Sequence, residues 1–567
     1  MTRSSSAPIC LIVLFCALLT GCGASGTDGS VEAGAAVESF VLHDAVIYTV
    51  DPTTPTAEAF AVVDGRIAAV GTTDEVFEAH PDLERISAGG RTVVPGFIDA
   101  HAHLMDLGIE QMDVDLRGTE SVDAAVERIR MYRRANPGQE WITGRGWNQE
   151  LWPQPEFPTR ADLDEAFPDV PIWLERVDGH AGWANTAALE AAGYETIAIA
   201  DDTEGGTILR DQRGEPTGIF VDEAMSWIQD ALPVRDDAWY DRALTLALRK
   251  TASVGLTGVH DAGDKVNLET LDRYRRFIDQ GRFPLRVYAM IGWEYSDAVE
   301  RYCNDHLIDY GDRLTVRSVK MYVDGALGSR GAALIEPYSD DPGNLGLVKM
   351  GRDSLAVSTE RALDCGYQVN SHAIGDRANR IALDVYETKD ADPEGRHRIE
   401  HAQIVHPDDI PRFKQLGVIA AMQPTHATSD LNMAEDRVGP DRIRGGYAWR
   451  TFLEQGTPLA FGSDFAVEKP DPLLGFFAAV TRQTEDLFPE GGWYAEQAVT
   501  REEALHGFTL GAAYSAFQEA ELGSISPNKR ADFVVLSDDI MTIDAPRILE
   551  TEVVATVLGG DFVHGGL

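Results

Sequence analysis

The chain has 567 residues, of which 44% are hydrophobic and 25% are charged, a composition typical of a globular protein with one large core and a smaller one. Its 92 acidic and 49 basic residues give a formal net charge of −43. Because such a polyanion repels nucleic-acid phosphates, we exclude nucleic acid as a partner and expect a small molecule instead.

The first residues have the pattern of an export signal. Arg3 precedes an apolar run at residues 9–19 that is too short to span a bilayer. The run ends in Leu19-Thr20-Gly21-Cys22, which resembles a bacterial lipobox. We expect residues 1–21 to be a lipoprotein signal peptide, residues 22–37 a flexible tether, and Cys22 a lipid anchor to a bacterial membrane. An ordinary cleaved signal peptide is the alternative, and both readings predict export to the cell envelope.

Short strands are predicted near both ends of the chain. The N-terminal ones are residues 41–50, 58–63 and 66–71, and the Asp64-Gly65 pair between the last two indicates a hairpin. Residues 531–536 and 553–558 repeat this pattern. We expect residues 38–93 and 515–567 to build one small β-sandwich domain together.

Between these ends, eight apolar runs alternate with helical stretches. They are residues 92–100, 255–261, 285–291, 314–321, 367–372, 396–401, 418–422 and 458–462. This alternation predicts a TIM-like (β/α)8 barrel over residues 94–514, in the α/β class. Further strand-like runs at residues 140–144 and 170–177 are assigned to an insertion at about residues 110–250. Only Cys303 and Cys365 lie beyond the leader, so we do not expect a disulfide framework.

The segment at residues 95–103 is a buried strand that runs into His101 and His103. Alternation along an extended chain points both imidazoles the same way. Two converging imidazoles are half of a site for a borderline divalent metal such as Zn²⁺.

Four other candidate ligands end predicted barrel strands, at the face where barrel enzymes place their active sites: Lys320, His372, His401 and Asp464. Taken singly, each has a structural explanation, such as a hydrogen-bonded core histidine or a helix N-cap. Taken together, they favour an active site.

These segments resemble the amidohydrolase superfamily, and specifically amidohydrolase family 3, the group that includes N-substituted formamide deformylases. The resemblance rests on residues 95–103, 177–185, 320–330, 371–376, 400–402 and 462–464. It implies one or two divalent ions, with zinc expected. His101, His103 and Asp464 would bind the first ion, His372 and His401 the second, and a carboxylated Lys320 would bridge them.

Carboxylation of Lys320 has a physical reason. A lysine among metal ions loses its proton, and reaction with CO₂ turns it into an oxygen-donating anion. The alternative is a salt bridge between Lys320 and Asp324 or another acid.

The expected reaction is hydrolysis of a C–N bond in an amide-like molecule, such as an N-substituted formamide or an aryl amide, by a metal-activated hydroxide. Asp464 is the candidate that takes the proton of the water and delivers it to the leaving nitrogen. His180 is a second candidate, through a hydrogen bond to substrate or to the developing oxyanion.

His180, Trp183, Arg330 and His426 are candidate substrate contacts, and each could equally be structural. Trp183 is one of five tryptophans in the insertion, which predict either an apolar lid or the core of that subdomain; the others are Trp141, Trp147, Trp152 and Trp173.

Two rival functions stay open at this point. One is a mononuclear deaminase of the same superfamily, built on His101, His103 and Asp464. The other is a non-catalytic lipoprotein that binds a ligand on the barrel. A homo-oligomer is one option for the assembled protein.

Overall fold

The computed structural model describes residues 39–149, 152–176, 181–199, 206–389 and 393–567. Its strands are β1 (Phe40–Tyr48), β2 (Thr56–Ala57), β3 (Ala59–Val63), β4 (Arg66–Gly71), β5 (Glu84–Pro95), β6 (Phe97–Ala102), β7 (Val114–Asp115), β8 (Ile142–Trp147), β9 (Ile172–Arg176), β10 (Ala181–Ala184), β11 (Gly206–Arg210), β12 (Pro216–Asp222), β13 (Leu256–Gly263), β14 (Arg286–Gly292), β15 (Leu307–Tyr310), β16 (Leu314–Tyr322), β17 (Gln368–Ala373), β18 (Arg398–His401), β19 (Ile419–Met422), β20 (Leu459–Phe461), β21 (Phe533–Leu536), β22 (Val553–Leu558) and β23 (Asp561–Gly565).

The helices are α1 (Thr73–Ala79), α2 (Leu104–Glu110), α3 (Val122–Ala135), α4 (Arg160–Asp164), α5 (Thr186–Ala191), α6 (Tyr194–Ile199), α7 (Ser226–Gln229), α8 (Asp237–Ser253), α9 (Leu268–Asp279), α10 (Ser296–Arg301), α11 (Arg352–Asp364), α12 (Asp376–Thr388), α13 (Ile410–Leu416), α14 (Pro424–Ser429), α15 (Ala434–Arg442), α16 (Trp449–Glu454), α17 (Pro472–Thr481), α18 (Arg501–His506) and α19 (Ala512–Ser515). Among the described residues, no helix combines the length and the apolar character that crossing a membrane requires.

Eight parallel strands form a nearly closed barrel, in the order β6, β13, β14, β16, β17, β18, β19 and β20. Where β20 meets β6, the backbone N–H of Asp464 donates to the carbonyl of His101 at 2.8 Å. The barrel strands are continuous buried runs; all eight residues of β13, for example, are buried. The (β/α)8 prediction is confirmed.

The start of the barrel differs from the prediction in one respect. The run at residues 92–100 is divided, because β5 ends at Pro95 in another sheet and β6 begins at Phe97. Gly96 carries the chain between the two sheets, and a Cβ there would lie 2.1 Å from Oγ1 of Thr257. Only glycine fits this close approach.

The second β structure is a mixed sheet of eight strands built from both ends of the chain. Its order is β23-β22-β21-β5-β1-β3-β4, with β2 paired to β1. The C-terminal strand β21 lies antiparallel to the N-terminal strand β5, which confirms the composite β domain. A buried ion pair links this sheet to the barrel, because Arg286 on β14 contacts both carboxylate oxygens of Asp532 at 2.6 and 2.8 Å.

The segment between α2 and α8 forms a separate sheet in the order β11-β12-β10-β9-β8-β7. Trp147, Trp173 and Trp183 are almost fully buried in two apolar clusters on this sheet. These three tryptophans therefore form the core of the insertion. Of the two predictions made for them, an apolar lid or a subdomain core, they fit the second.

One disulfide joins Cys303 to Cys365, which lie 62 residues apart, after α10 and at the end of α11. The sequence did not indicate that these two cysteines pair.

Candidate metal centre

The candidate ligands come from separate strands but converge at the C-terminal end of the barrel. His101 is in β6 and His103 follows it, Lys320 is in β16, His372 in β17, His401 ends β18, and Asp464 follows β20. Parallel strands present their carboxyl ends at one face, so the barrel itself brings these residues together.

His101, His103 and Asp464 form the first group that could hold a cation. Their ligand atoms lie within 4.8 Å of one another. The Oδ1 atom of Asp464 is 3.0 Å from Nε2 of His103 and 3.6 Å from Nε2 of His101. This is the trio that the sequence predicts for the first ion.

His401, His426 and Asp464 form the second group, within the same limit of 4.8 Å. The other Asp464 oxygen, Oδ2, lies 3.5 Å from Nε2 of His426 and 4.0 Å from Nδ1 of His401. Since each oxygen of Asp464 faces a different group, this carboxylate connects the two halves of a candidate binuclear site. His426, which we expected to contact substrate, lies among the ligand atoms.

His372 lies beside the second group but is not one of the residues whose ligand atoms lie within 4.8 Å of one another. Its ring centroid is 4.6 Å from that of His401, and its Nε2 is 3.5 Å from Oδ1 of Asp324. The Asp324 carboxylate mainly accepts backbone N–H groups, including that of Gly375 at 2.8 Å. Asp324 thus holds the loop after β17, where it accepts the N–H groups of Ile374 and Gly375.

Lys320 is 1% exposed and lies in the middle of the site. Its Nζ is 3.0 Å from Nε2 of His101. Burial lowers the pKa of Lys320, although nearby carboxylates oppose this effect. Its neighbour is thus an imidazole of the first group and not Asp324, the partner considered in the salt-bridge alternative.

Three of the imidazoles and Asp464 have protonation states that suit a cation, whereas for His103 the hydrogen bond with Asp464 outweighs the effect of burial and raises the pKa. Burial lowers the pKa of His372 to about 3 and holds the pKa values of His101 and His401 well below their usual range. Burial raises the pKa of Asp464, but the hydrogen bond with His103 and the surrounding imidazoles outweigh it and hold that pKa below its usual value. Neutral imidazole nitrogen and ionised carboxylate are the forms that bind metal.

At this site, two buried imidazole nitrogens have no hydrogen-bond partner among the described residues: Nε2 of His372 and Nε2 of His426. A buried polar atom without a partner costs free energy unless a ligand satisfies it. The nitrogen and oxygen donors therefore fit a borderline divalent cation such as Zn²⁺.

Glu400 and Arg398 support the first group from below, and the sequence reasoning missed this role. Glu400 is fully buried and bonds Nδ1 of His101, which directs the opposite ring nitrogen, Nε2, toward Asp464. Arg398 Nε lies 2.7 Å from the other Glu400 oxygen, so the carboxylate is neutralised. Arg398 and Glu400 are two residues apart in β18, so their side chains point to the same face of the strand. This spacing is the signal in the sequence that could have indicated their role.

Other side chains orient the remaining imidazoles. Gln423 Oε1 lies 2.8 Å from Nδ1 of His401, and Asp264 Oδ2 lies 3.8 Å from Nδ1 of His103. His401 and Asp464 adopt φ values of 74° and 64°, in the left-handed region that costs a non-glycine residue about 1–3 kcal/mol. The fold holds two ligands in conformations that they would otherwise avoid.

A cavity of about 680 Å³ extends from His103 and Asp264 to the insertion, where Trp173 lines it. Trp183 does not line it: this residue is fully buried, and its indole N–H donates to the Thr159 carbonyl at 2.8 Å. Its position is that of a core residue.

Three other predicted residues lie away from the ligand groups or outside the described chain. Arg330 pairs with Asp340 at 2.8 Å, and neither residue belongs to a ligand group. His180 and Cys22 lie outside the described residues.

Comparison with known proteins gives one family. The model of a family described as "Amidohydrolase family" matches residues 84–564. The Bacillus subtilis protein YtcJ is 34% identical over 532 residues, which cover 92% of this chain and 99% of YtcJ. The N-substituted formamide deformylase of Arthrobacter pascens is 29% identical over 548 residues, covering 92% of this chain and 98% of that enzyme.

Among solved structures, an uncharacterized metal-dependent hydrolase from Pyrococcus horikoshii is similar to this chain with a TM-score of 0.75 and 28% identity. The alignment covers 90% of this chain and 99% of that one. The likeness therefore extends over the barrel and the composite β domain together.

Proposed function

We propose a function for this chain on the basis of its family: the chain belongs to the amidohydrolase family. It is a metal-dependent hydrolase of that family with a His/His/Asp metal site. The proposed reaction is hydrolysis of the C–N bond of an amide-like small molecule.

One observation carries the proposal: a single carboxylate, Asp464, whose pKa is held below its usual value, lies between two groups of imidazoles at the mouth of the barrel. A divalent cation, when bound there, lowers the pKa of water and polarises a carbonyl oxygen. The donors are His101 and His103 on one side and His401 and His426 on the other.

Asp464 is the proposed proton carrier. Its two oxygens face both groups, so the carboxylate lies within reach of a water molecule and of a substrate amide. Hydrolysis of an amide moves one proton from the attacking water to the leaving nitrogen, because an unprotonated amine anion is not expelled. Asp464 takes that proton on a carboxylate oxygen and delivers it to the nitrogen.

Zinc is the proposed metal, and Lys320 the proposed site of carboxylation. Burial lowers the pKa of Lys320, which favours the neutral amine that reacts with CO₂. The resulting carbamate would offer oxygen donors beside the first group, since Lys320 Nζ lies 3.0 Å from Nε2 of His101. His372, which faces the same space, is the proposed additional ligand of the second ion.

An N-substituted formamide is the first substrate class to test. The N-substituted formamide deformylase of Arthrobacter pascens is similar to this chain over nearly the whole length of both proteins, and we propose the same activity for the present chain. His180 keeps its proposed role as a substrate contact, whereas Arg330 is already paired with Asp340.

We also propose export and a lipid anchor at Cys22. The leader pattern supports this proposal, and so does the Cys303–Cys365 disulfide, because disulfides persist mainly in oxidising compartments outside the cytoplasm.

The test uses the full chain loaded with zinc and N-benzylformamide as substrate, with benzylamine release as the readout. We expect turnover that chelation abolishes and zinc restores. Asp464→Asn should lower kcat by about 100-fold or more, whereas Asp340→Asn, which changes an acid paired with Arg330 away from both ligand groups, should not. Ammonia release from a cyclic amidine, with no cleavage of any amide, would establish the mononuclear deaminase instead.

A further inference from the structure

The two imidazoles of the second ligand group belong to different segments of the chain. His401 ends β18, whereas His426 lies in the short helix α14. Their rings are nearly parallel, with planes 20° apart and centroids 5.8 Å apart. This spacing depends on what holds the residues after β18 against α14.

One tyrosine hydroxyl joins these two segments. Tyr447 is buried, and its hydroxyl donates to Oδ2 of Asp430 at 2.7 Å. Gln403, two residues after His401, donates to the same carboxylate oxygen at 2.7 Å and to the Tyr447 hydroxyl at 2.8 Å. Asp430 caps the C-terminal end of α14, where its backbone N–H donates to the carbonyl of His426 at 2.9 Å. The three side chains therefore close a triangle of hydrogen bonds between the two segments.

The backbone around Tyr447 reinforces this connection. The N–H of Tyr447 donates to the carbonyl of Gln403 at 2.8 Å, and the N–H of Val405 donates to the carbonyl of Gly445 at 2.9 Å. Residues 445–447 are thus paired with the residues that follow β18. Tyr447 has a φ of 50°, in the left-handed region that a tyrosine adopts only where its surroundings enforce it. The position of its hydroxyl is therefore fixed by the backbone as well as by the side-chain contacts.

A buried arginine connects Tyr447 to helix α17. Arg482, the C-cap of that helix, is fully buried, and its Nη1 donates to the carbonyl of Tyr447 at 3.0 Å. Its Nε donates to the carbonyl of Trp493 at 2.8 Å. The guanidinium lies 4.2 Å from the centroid of the Trp449 ring and 5.3 Å from that of Trp493, and burial lowers the pKa of Arg482 to about 9. The segment that carries Tyr447 is thus held between α17 and the residues after β18.

We infer that Tyr447 is a positioning residue for the second metal ion, because its hydroxyl fixes the spacing between His401 and His426. It acts through Asp430 on α14 and through Gln403 after β18. This inference rests on the proposed function, which places a second ion at these imidazoles. Burial and the Asp430 carboxylate raise the pKa of Tyr447, so its hydroxyl stays protonated and remains a donor. Replacement of groups that orient metal-binding side chains lowers metal affinity by about 10–100-fold.

Zinc binding to the full chain with Tyr447→Phe tests the inference, since phenylalanine keeps the ring and removes only the hydroxyl. Competition with a fluorescent chelator should give two zinc Kd values for the unmodified protein. In Tyr447→Phe one Kd should rise by about tenfold while the other stays unchanged. Crystals of both proteins, equilibrated at the same zinc concentration, assign the affected ion. The anomalous peak among His401, His426 and Asp464 should weaken relative to the peak at the first group.

Tyr367→Phe is the matched control, because Tyr367 is also a buried tyrosine and its hydroxyl donates to the carbonyl of Val299 at 2.7 Å. It should leave both Kd values unchanged. If Tyr447→Phe does not fold, Gln403→Met removes the other donor to Asp430 and should weaken binding of the same ion. Two unchanged Kd values, an equal loss of both ions, or a single zinc ion in the unmodified protein would overturn the inference.

Turnover of N-benzylformamide distinguishes this inference from the proposed function. Selective loss of the second ion in Tyr447→Phe, with no hydrolysis by the unmodified protein, would contradict amide hydrolysis and keep the positioning role. Hydrolysis by the unmodified protein, with the same two zinc Kd values in Tyr447→Phe, would keep the hydrolase and overturn the positioning role.

Discussion

Replacement of Glu400 by glutamine tests how much the buried support of the metal centre contributes. Glu400 is fully buried, bonds Nδ1 of His101 through one oxygen, and lies 2.7 Å from Arg398 Nε through the other. Glutamine keeps the size of the side chain but removes the negative charge. The substitution therefore weakens the basicity of the His101 ring and leaves the Arg398 cation without its counterion.

Two magnitudes follow from these contacts. Loss of a carboxylate that orients a metal-binding histidine lowers metal affinity by about 10–100-fold, or about 1.4–2.7 kcal/mol. Loss of one partner of a buried ion pair costs about 3–5 kcal/mol of folding free energy, because the Arg398 guanidinium is also fully buried. Zinc affinity and the stability of the metal-free chain should both fall.

The assay is competition for zinc between the protein and a fluorescent chelator, together with urea unfolding of the metal-free protein. Glu503→Gln is the matched control, because Glu503 pairs with Arg450 in a partly buried pair that contains no candidate ligand. Glu400→Asp keeps the charge if Glu400→Gln fails to fold. A zinc Kd for Glu400→Gln equal to that of the unmodified protein would refute the role given to this carboxylate.

Two further predictions concern the fold. Asp532→Asn breaks the buried pair with Arg286 and should lower the free energy of unfolding in urea by about 3–5 kcal/mol. Burial raises the pKa of Asp532, but Arg286 and a backbone N–H outweigh it and lower that pKa. The stabilisation by Asp532 is therefore present above about pH 4 and is lost as the pH falls through the lowered folded-state pKa. An Asp532→Asn protein whose stability between pH 3 and 7 matches that of the unmodified chain would contradict this. Changing both Cys303 and Cys365 to serine removes a cross-link over 62 residues and should lower the free energy of unfolding by up to about 4 kcal/mol. The same urea titration measures this change. An unchanged unfolding midpoint would show that the cross-link does not stabilise the fold.

The barrel could be predicted because its strands carry a local signal. Parallel strands that are buried on both faces are largely apolar along their length, as in β14 and β19. A ligand at the end of such a run, such as His372 or Asp464, is placed by the strand that precedes it. The sequence therefore predicts both the barrel and its candidate metal face.

What the sequence could not predict depends on contacts between distant segments. His426 lies in the first turn of α14, and its distance to Asp464 is set by where that helix begins. Trp183 is apolar and aromatic whether it lines a pocket or a core, so only the packing of the insertion distinguishes the two.

The most direct test of the account is a crystal structure of the zinc-loaded protein with anomalous data collected on both sides of the zinc absorption edge. The account predicts two anomalous peaks, one among His101, His103 and Asp464 and one among His401, His426 and Asp464. No zinc peak within coordination distance of Asp464 would contradict the metal-dependent hydrolase.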